Sequence, residues 1–204
     1  MKILLIHGLS RTSLSLLSLE WYLQQTGRKT EQFSYLAVTE TFDRIVERLQ
    51  IRLQTLASQG AYGIVAHSLG GLLTRAALGL GSIEPPKHIV MLGTPNQLPR
   101  LAPHAWRLPP FRWWTGQCGF NLTDPNFFAS LPRIESPYTI VAGTGGMRGF
   151  LSPFGDEPND GIVALSETRL SHDDRLVQLP VMHTFMMNNS RVQKTVKQAF
   201  DLLD

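Results

Sequence analysis

Short apolar runs alternate along the chain with longer stretches in which apolar residues recur at helical spacing. Ile3 to Ile6 runs apolar up to His7-Gly8, the pattern of a buried parallel strand. In "RTSLSLLSLEWYLQQTG", Leu16, Leu19 and Leu23, and also Leu17 and Trp21, fall at helical spacing. Thr12 or Ser13 can cap its start, and Gly27 can end it. "EQFSYL" reads as a second strand. "TFDRIVERLQIRLQTLASQG" places Phe42, Ile45, Val46, Leu49, Leu53 and Leu56 on one helical face, with Gly60 beyond its end. "YGIVAH" predicts a third strand and Leu69 to Leu80 a third helix. "KHIVMLGTP", "SPYTIVAGTG" and "DRLVQLP" predict three more strands, and Ser190 to Leu203 a closing amphipathic helix.

Strands that alternate with helices predict an α/β fold with a mainly parallel central sheet. No repeat or linker divides the chain, so residues 1–204 are expected to form a single domain. Two segments break the rhythm. Residues 96–133 hold Trp106, Phe111, Trp113 and Trp114 among Pro99, Pro103, Pro109 and Pro110. They read as an irregular excursion, either packed on the core or forming a lid-like wall for an apolar ligand. Residues 143–161 are rich in Gly and Pro and end in "NDG".

Composition narrows the picture. A 204-residue chain with 43% hydrophobic residues can bury one sizeable core. The formal net charge is only +3, and the arginines and lysines (Arg11, Arg28, Lys29, Arg44, Arg48, Arg52, Arg75) are scattered. No basic run suggests a nucleic-acid partner, and these charges read as solvated faces. The one cysteine, Cys118, excludes an intrachain disulfide and a multi-cysteine metal site. The N-terminal apolar run is too short for a signal-peptide core, and no run is long enough to span a bilayer. The expectation is a cytoplasmic protein without a transmembrane segment.

The stretch "IVAHSLGGLLTRA" carries the candidate chemistry. A strand, then Ser68, then a helix is the setting of a nucleophile elbow. The positions two residues either side of the serine must be small, and here they are Ala66 and Gly70. Ser68 could equally be a helix cap. A nucleophile makes further demands that a cap does not. It needs oxyanion donors, which the backbone N–H groups of Leu69, at a helix N-terminus, and Leu9, in the turn after the first strand, can supply. His7 then holds that turn. It needs an acid on a loop, for which Asp160 in "PNDGIVAL" fits, whereas Asp124 resembles a turn initiator and Asp173 and Asp174 a solvated turn. It needs a late histidine, for which His183 fits, with His172 in reserve.

On "LLIHGLSRTS", "IVAHSLGGLLTR", "IVMLGTPNQ", "NDGIVALSET" and "LPVMHTFMMNN", the chain resembles the α/β-hydrolase superfamily, in particular its small bacterial lipase and esterase members. The resemblance spans nearly the whole chain. It implies an α/β-hydrolase fold without a separate cap domain, the nucleophile at Ser68, the acid at Asp160, the base at His183 and oxyanion donors at Leu9 and Leu69. Two departures stand out. Ala66 replaces the usual glycine, and "GTPNQLPR" lacks the Gly-Ser that often follows this threonine-proline, so the loop after the fourth strand is expected to differ.

The activity this implies is hydrolysis of a carboxylic ester through an acyl-serine, with neither metal nor cofactor. The partner is a small-molecule ester or lipid, with transient contact to a lipid surface. Trp106, Phe111, Trp113 and Trp114 are the expected substrate wall. A thioesterase, amidase or acyltransferase could use the same triad, and an inert binding module for an apolar ligand or a protein is the non-enzymatic alternative.

Overall fold

All six expected strands form in one parallel sheet in the computed structural model, which describes residues 1–81 and 83–202. The strands are β1 (Lys2–Ile6), β2 (Lys29–Phe33), β3 (Tyr62–His67), β4 (Ile89–Leu92), β5 (Tyr138–Gly143) and β6 (Leu176–Leu179). Their order is β2-β1-β3-β4-β5-β6, and each neighbouring pair is parallel. β2 starts and ends earlier than "EQFSYL" suggested. The chain leaves the ladder after Phe33 so that Tyr35 can stack on His7, ring centroids 4.1 Å apart.

The helices are α1 (Leu17–Gln25), entered through a 3-10 turn at Ser13–Leu16, then α2 (Phe42–Ser58), α3 (Leu69–Gly79), α4 (Ala102–Trp106), α5 (Pro109–Asn121), α6 (Pro125–Ser130) and α7 (Ser190–Asp201). Leu203, in the expected closing helix, lies outside the described residues.

Strand alternation sorts the core into two layers. Leu4, Ile6, Ile64, Ala66, Ile89, Met91 and Ile140 face α2 and α3. Ile3, Leu5, Val65, Val90, Leu92 and Val141 face Leu19 and Leu23 of α1 and Val192, Val196 and Phe200 of α7. Successive strand residues point to opposite faces, so a sheet covered on both sides needs continuous apolar strands, as these are. The fold is an α/β-hydrolase-type sheet covered by helices on both faces, with no separate cap domain among the described residues.

Residues 96–133 are mainly helical, not irregular. Pro109 and Pro110 open α5 and Pro125 opens α6, while Pro103 sits in the first turn of α4. Proline is tolerated in a first helical turn, where its missing N–H has no intrahelical partner in any case. Arg75, expected on a solvated face, is buried in α3 instead. Its guanidinium donates to the carbonyls of Asn96 (3.3 Å), Leu131 (3.2 Å) and Pro132 (3.1 Å). One side chain therefore holds both ends of this helical segment. Burial lowers its pKa to about 10, so the guanidinium stays charged at neutral pH.

The order of the strands reverses at β1. The chain runs from β1 outward to β2, then crosses back to β3 and proceeds to the other edge. A crevice opens at the carboxyl ends of β1 and β3, where parallel sheets of this kind place their sites.

The core layer that faces α1 and α7 makes a testable demand. Phe200 is fully buried, and a Cβ added at Gly63 would lie 2.3 Å from its ring. Strand β3 thus leaves a slot that this ring fills. Phe200→Ala should cost about 3–5 kcal/mol of unfolding free energy, measured by urea denaturation.

Candidate active site

Ser68 follows β3 directly and sits at the N-cap of α3, with φ 52° and ψ −121°. Only two described non-glycine residues have positive φ, Ser68 and Ser10. A serine in this region is strained by about 1–3 kcal/mol and persists only where its surroundings enforce it. The enforcing contacts are close backbone approaches. A Cβ at Gly70 would lie 2.8 Å from the His7 carbonyl oxygen and 2.9 Å from that of Ile6. Ala66, on the other side, is fully buried in the core layer that faces α2 and α3, where its methyl group fits. The Ser68 side chain caps no helix N–H. It is half-buried and faces a cavity.

Asp160 and His183 meet beside it. His183 Nδ1 donates to Asp160 Oδ2 at 2.7 Å, and both side chains are buried. The other carboxylate oxygen accepts from the N–H groups of Ile162 (3.0 Å) and Val163 (2.7 Å). The His183 N–H donates to the Asp160 carbonyl at 2.9 Å, so the two loops are also joined through their backbones. Gly93, after β4, lets the pair approach. A Cβ there would lie 3.0 Å from His183 Nδ1 and 3.1 Å from Asp160 Oδ2. His183 and Ser68 line one cavity without a hydrogen bond between them, as is common before substrate binds.

The loop carrying Asp160 is braced from outside. Asn159 donates through Nδ2 to the carbonyls of Met147 and Glu157, both at 3.0 Å. Glu167 accepts from the Ala164 N–H (2.9 Å) and from Arg100 Nε (2.7 Å), and Arg100 also binds Glu157. The other candidate groups lie elsewhere. His172 is fully exposed beside Asp173. Asp174 accepts from the Tyr138 hydroxyl and from two backbone N–H groups of its own turn, and Asp124 caps α6.

His7 holds the turn after β1. Its Nδ1–H donates to the Gly8 carbonyl (2.9 Å), and its Nε2 accepts from the Tyr35 N–H (3.3 Å). This arrangement uses the neutral ring. A Cβ at Gly8 would sit 3.0 Å from Ser68 Cβ, so the Leu9 backbone passes close to the serine. Leu69 is the first residue of α3, where an N–H has no intrahelical acceptor. His67 donates through Nε2 to the His183 carbonyl (3.1 Å), a tie between the serine and histidine loops that sequence reasoning missed.

The cavity has a volume of about 370 Å³ and mostly apolar walls. Leu101, Ala102 and Ala105 around α4, with Phe111 and Leu122 from the α5 region, form one side. Ile162, Val163 and Thr184 form the other, beside the Asp160–His183 pair. Of the four aromatic residues expected in the wall, only Phe111 reaches it. Trp106 packs against Phe120 with ring centroids 5.6 Å apart. Trp113 and Trp114 are 78% and 66% exposed, on the outer side of α5. Helical spacing turns Trp113 away from the face that carries Phe111, whereas Trp114, three residues on from Phe111, stays exposed outside the cavity lining. Arg11, read from sequence as a solvated charge, also lines the cavity.

Neither the models of known protein families nor the curated proteins hold a match to this sequence. Its fold is shared with solved structures. Phospholipase PlaB from Legionella pneumophila, in complex with thio-NAD, superposes with a TM-score of 0.66 at 18% identity over 83% of this chain and 44% of PlaB. This chain thus spans less than half the length of PlaB. An extracellular α/β-hydrolase from a Paenibacillus species gives a TM-score of 0.66 at 14% identity over 98% of both chains. The esterase EaEST from Exiguobacterium antarcticum gives 0.68 at 12% identity over 97% of this chain and 91% of its own. At these identities the likeness is one of fold.

The strained turn and the buried imidazoles each have a measurable consequence. Ser68→Gly should raise the unfolding free energy by about 1 kcal/mol, because glycine relieves the strained φ; urea denaturation measures it, and an unchanged value would mean the turn is unstrained. Burial also holds His7 and His67 neutral, with both pKa values below the ordinary 6.5. As pH falls through about 6.5 the unfolded chain takes up these protons while the folded protein does not, so stability is full above that pH and declines below it. The urea midpoint should drop between pH 7 and pH 5.5. A midpoint that holds or rises would show that the folded protein accommodates the charged rings.

Proposed function

We propose that this chain, which has the α/β-hydrolase fold, is a serine hydrolase that cleaves carboxylic esters through an acyl-serine intermediate. The observation that carries this reading is the buried 2.7 Å hydrogen bond between His183 Nδ1 and Asp160 Oδ2, beside a serine with positive φ facing the same cavity. A residue that only caps a helix gains nothing from a strained backbone, and an inert binding module has no use for a buried carboxylate–imidazole pair at its floor.

In this mechanism His183 Nε2 takes the proton from Ser68 Oγ as the oxygen attacks the ester carbonyl. Asp160 fixes the tautomer that leaves Nε2 free and stabilises the imidazolium that forms. The N–H groups of Leu9 and Leu69 hold the oxygen of the tetrahedral intermediate. His183 then returns the proton to the leaving alcohol. Water attacks the acyl-serine by the same route and regenerates the hydroxyl. The apolar walls built by Leu101, Ala105, Phe111 and Ile162 suit an apolar portion of the ester.

The test is hydrolysis of 4-nitrophenyl esters together with labelling by a fluorophosphonate probe. Ser68→Ala should abolish labelling and lower turnover on the order of a million-fold. Asp160→Asn should lower turnover by about ten thousand-fold while the cavity and fold remain. Equal hydrolysis by wild type and Ser68→Ala would overturn the proposal.

A further inference from the structure

Arg11 lies two residues beyond Leu9 on the turn after β1, and its side chain forms part of the wall of the cavity that holds Ser68 and His183. It is partly buried there. No aspartate or glutamate lines that cavity, and Arg11 is its one arginine or lysine. Among the described residues the guanidinium has no ion-pair or hydrogen-bond partner. Several other arginines are held by groups of the protein itself. Arg100 is held by Glu157 and Glu167, Arg52 by Glu31, Arg48 by Glu40, and Arg75 by three carbonyls. The positive charge of Arg11 reaches the elbow, where it helps keep His67 neutral.

A guanidinium at the wall of an apolar cavity, with no counter-ion of its own, has its charge available to an anion that enters. Its fixed fork of N–H donors matches the paired oxygens of a carboxylate or phosphate. No other arginine or lysine lines the cavity to pair with that anion.

We infer that the substrate is an ester bearing an anionic oxygen group, carboxylate or phosphate, which Arg11 binds while Ser68 attacks the carbonyl. The inference rests on the serine-hydrolase reading and deepens it by naming a substrate class. Arg11 is the specificity-determining residue, and the apolar lining receives the uncharged part of the ester. The covalent chemistry is unchanged. The ester C–O bond breaks, the alcohol leaves with a proton from His183, and water supplies the oxygen of the released acid.

Two matched substrate pairs test this. One pair carries the charge on the alcohol: 4-carboxyphenyl butyrate against its methyl ester. The other carries it on the acyl group: 4-nitrophenyl hydrogen adipate against 4-nitrophenyl methyl adipate. The readout is the ratio of kcat/KM for the anionic ester over its neutral partner. In wild type this ratio should exceed one for at least one pair. In Arg11→Gln it should fall about tenfold or more, and Arg11→Lys should restore part of it. Inhibition by benzoate against phenyl phosphate then tells which anion the site prefers. A ratio unchanged in Arg11→Gln overturns the inference. So does an equal loss on both members of each pair, which would assign Arg11 to the oxyanion instead. Fluorophosphonate labelling separates the two levels. Labelled wild type without an anionic preference overturns only the inference, whereas wild type that does not label at Ser68 overturns the hydrolase reading and the inference with it.

Discussion

The packing of α3 against the end of β1 is the contact on which the rest of the site depends. The Ile6 and His7 carbonyl oxygens lie where a Cβ on residue 70 would have to go, so the helix can start this close to the sheet only with glycine there. That approach leaves the preceding residue no relaxed backbone conformation, and Ser68 takes φ 52°. The same compression brings Gly8 against Ser68 and carries the Leu9 backbone past the serine. Strain at one residue is thus maintained by well-packed neighbours: Ile6, Ala66, Leu69 and Leu72 are all fully buried around it. A strained residue costs on the order of 1–3 kcal/mol, and burial of Ile6, Leu69 or Leu72 alone offsets a comparable amount.

Asp160 and His183 are positioned by a different device. Neither Asp160 nor His183 lies in a strand or an α-helix. Each is fixed by hydrogen bonds to the other's loop and by second contacts outside it. Asp160 is held by the Ile162 and Val163 N–H groups, and His183 by its own backbone bond to Asp160 and by His67. Farther out, the Glu157–Arg100–Glu167 cluster ties the Asp160 loop to the start of the helical segment, since the Arg100 N–H also donates to Glu167 at 3.0 Å. The site combines a serine set by backbone compression with a carboxylate–imidazole pair set by a polar network.

The parts governed by periodicity were legible in the sequence. Parallel strands buried on both faces must be apolar throughout, so β1, β3, β4 and β5 announce themselves, as does the one-sided apolar face of α2. The juxtaposition of Ser68, Asp160 and His183 was legible through strand-end placement. Three things were not. The prolines of residues 96–133 looked like breaks, yet Pro109, Pro110 and Pro125 begin helices, and a first-turn proline differs from a breaker only in the residues after it. The tryptophans looked like a binding wall, but side-chain direction on a short helix depends on its rotation against the core, which the local sequence does not encode. Tyr35 looked like strand, but its long-range stacking on His7 removes it from the ladder.

Long-range placement also separates two arginines. Arg11 and Arg75 are indistinguishable as sequence letters, each a single positive charge among apolar and small polar neighbours. In the fold they take opposite roles because of what the backbone offers them. Arg75 emerges from α3 into a gap where the carbonyls of Asn96, Leu131 and Pro132 converge, so its charge is satisfied by dipoles and closes both ends of the cavity wall. Arg11 emerges from the strained turn at Ser10, φ 55°, into a cavity whose lining offers apolar groups, hydroxyls and imidazoles but no carboxylate. A guanidinium satisfied by its own chain stabilises the fold, and one left facing a cavity is free to recognise what enters. The difference between structure and specificity at these two positions therefore lies in the placement of acceptors brought from distant parts of the chain.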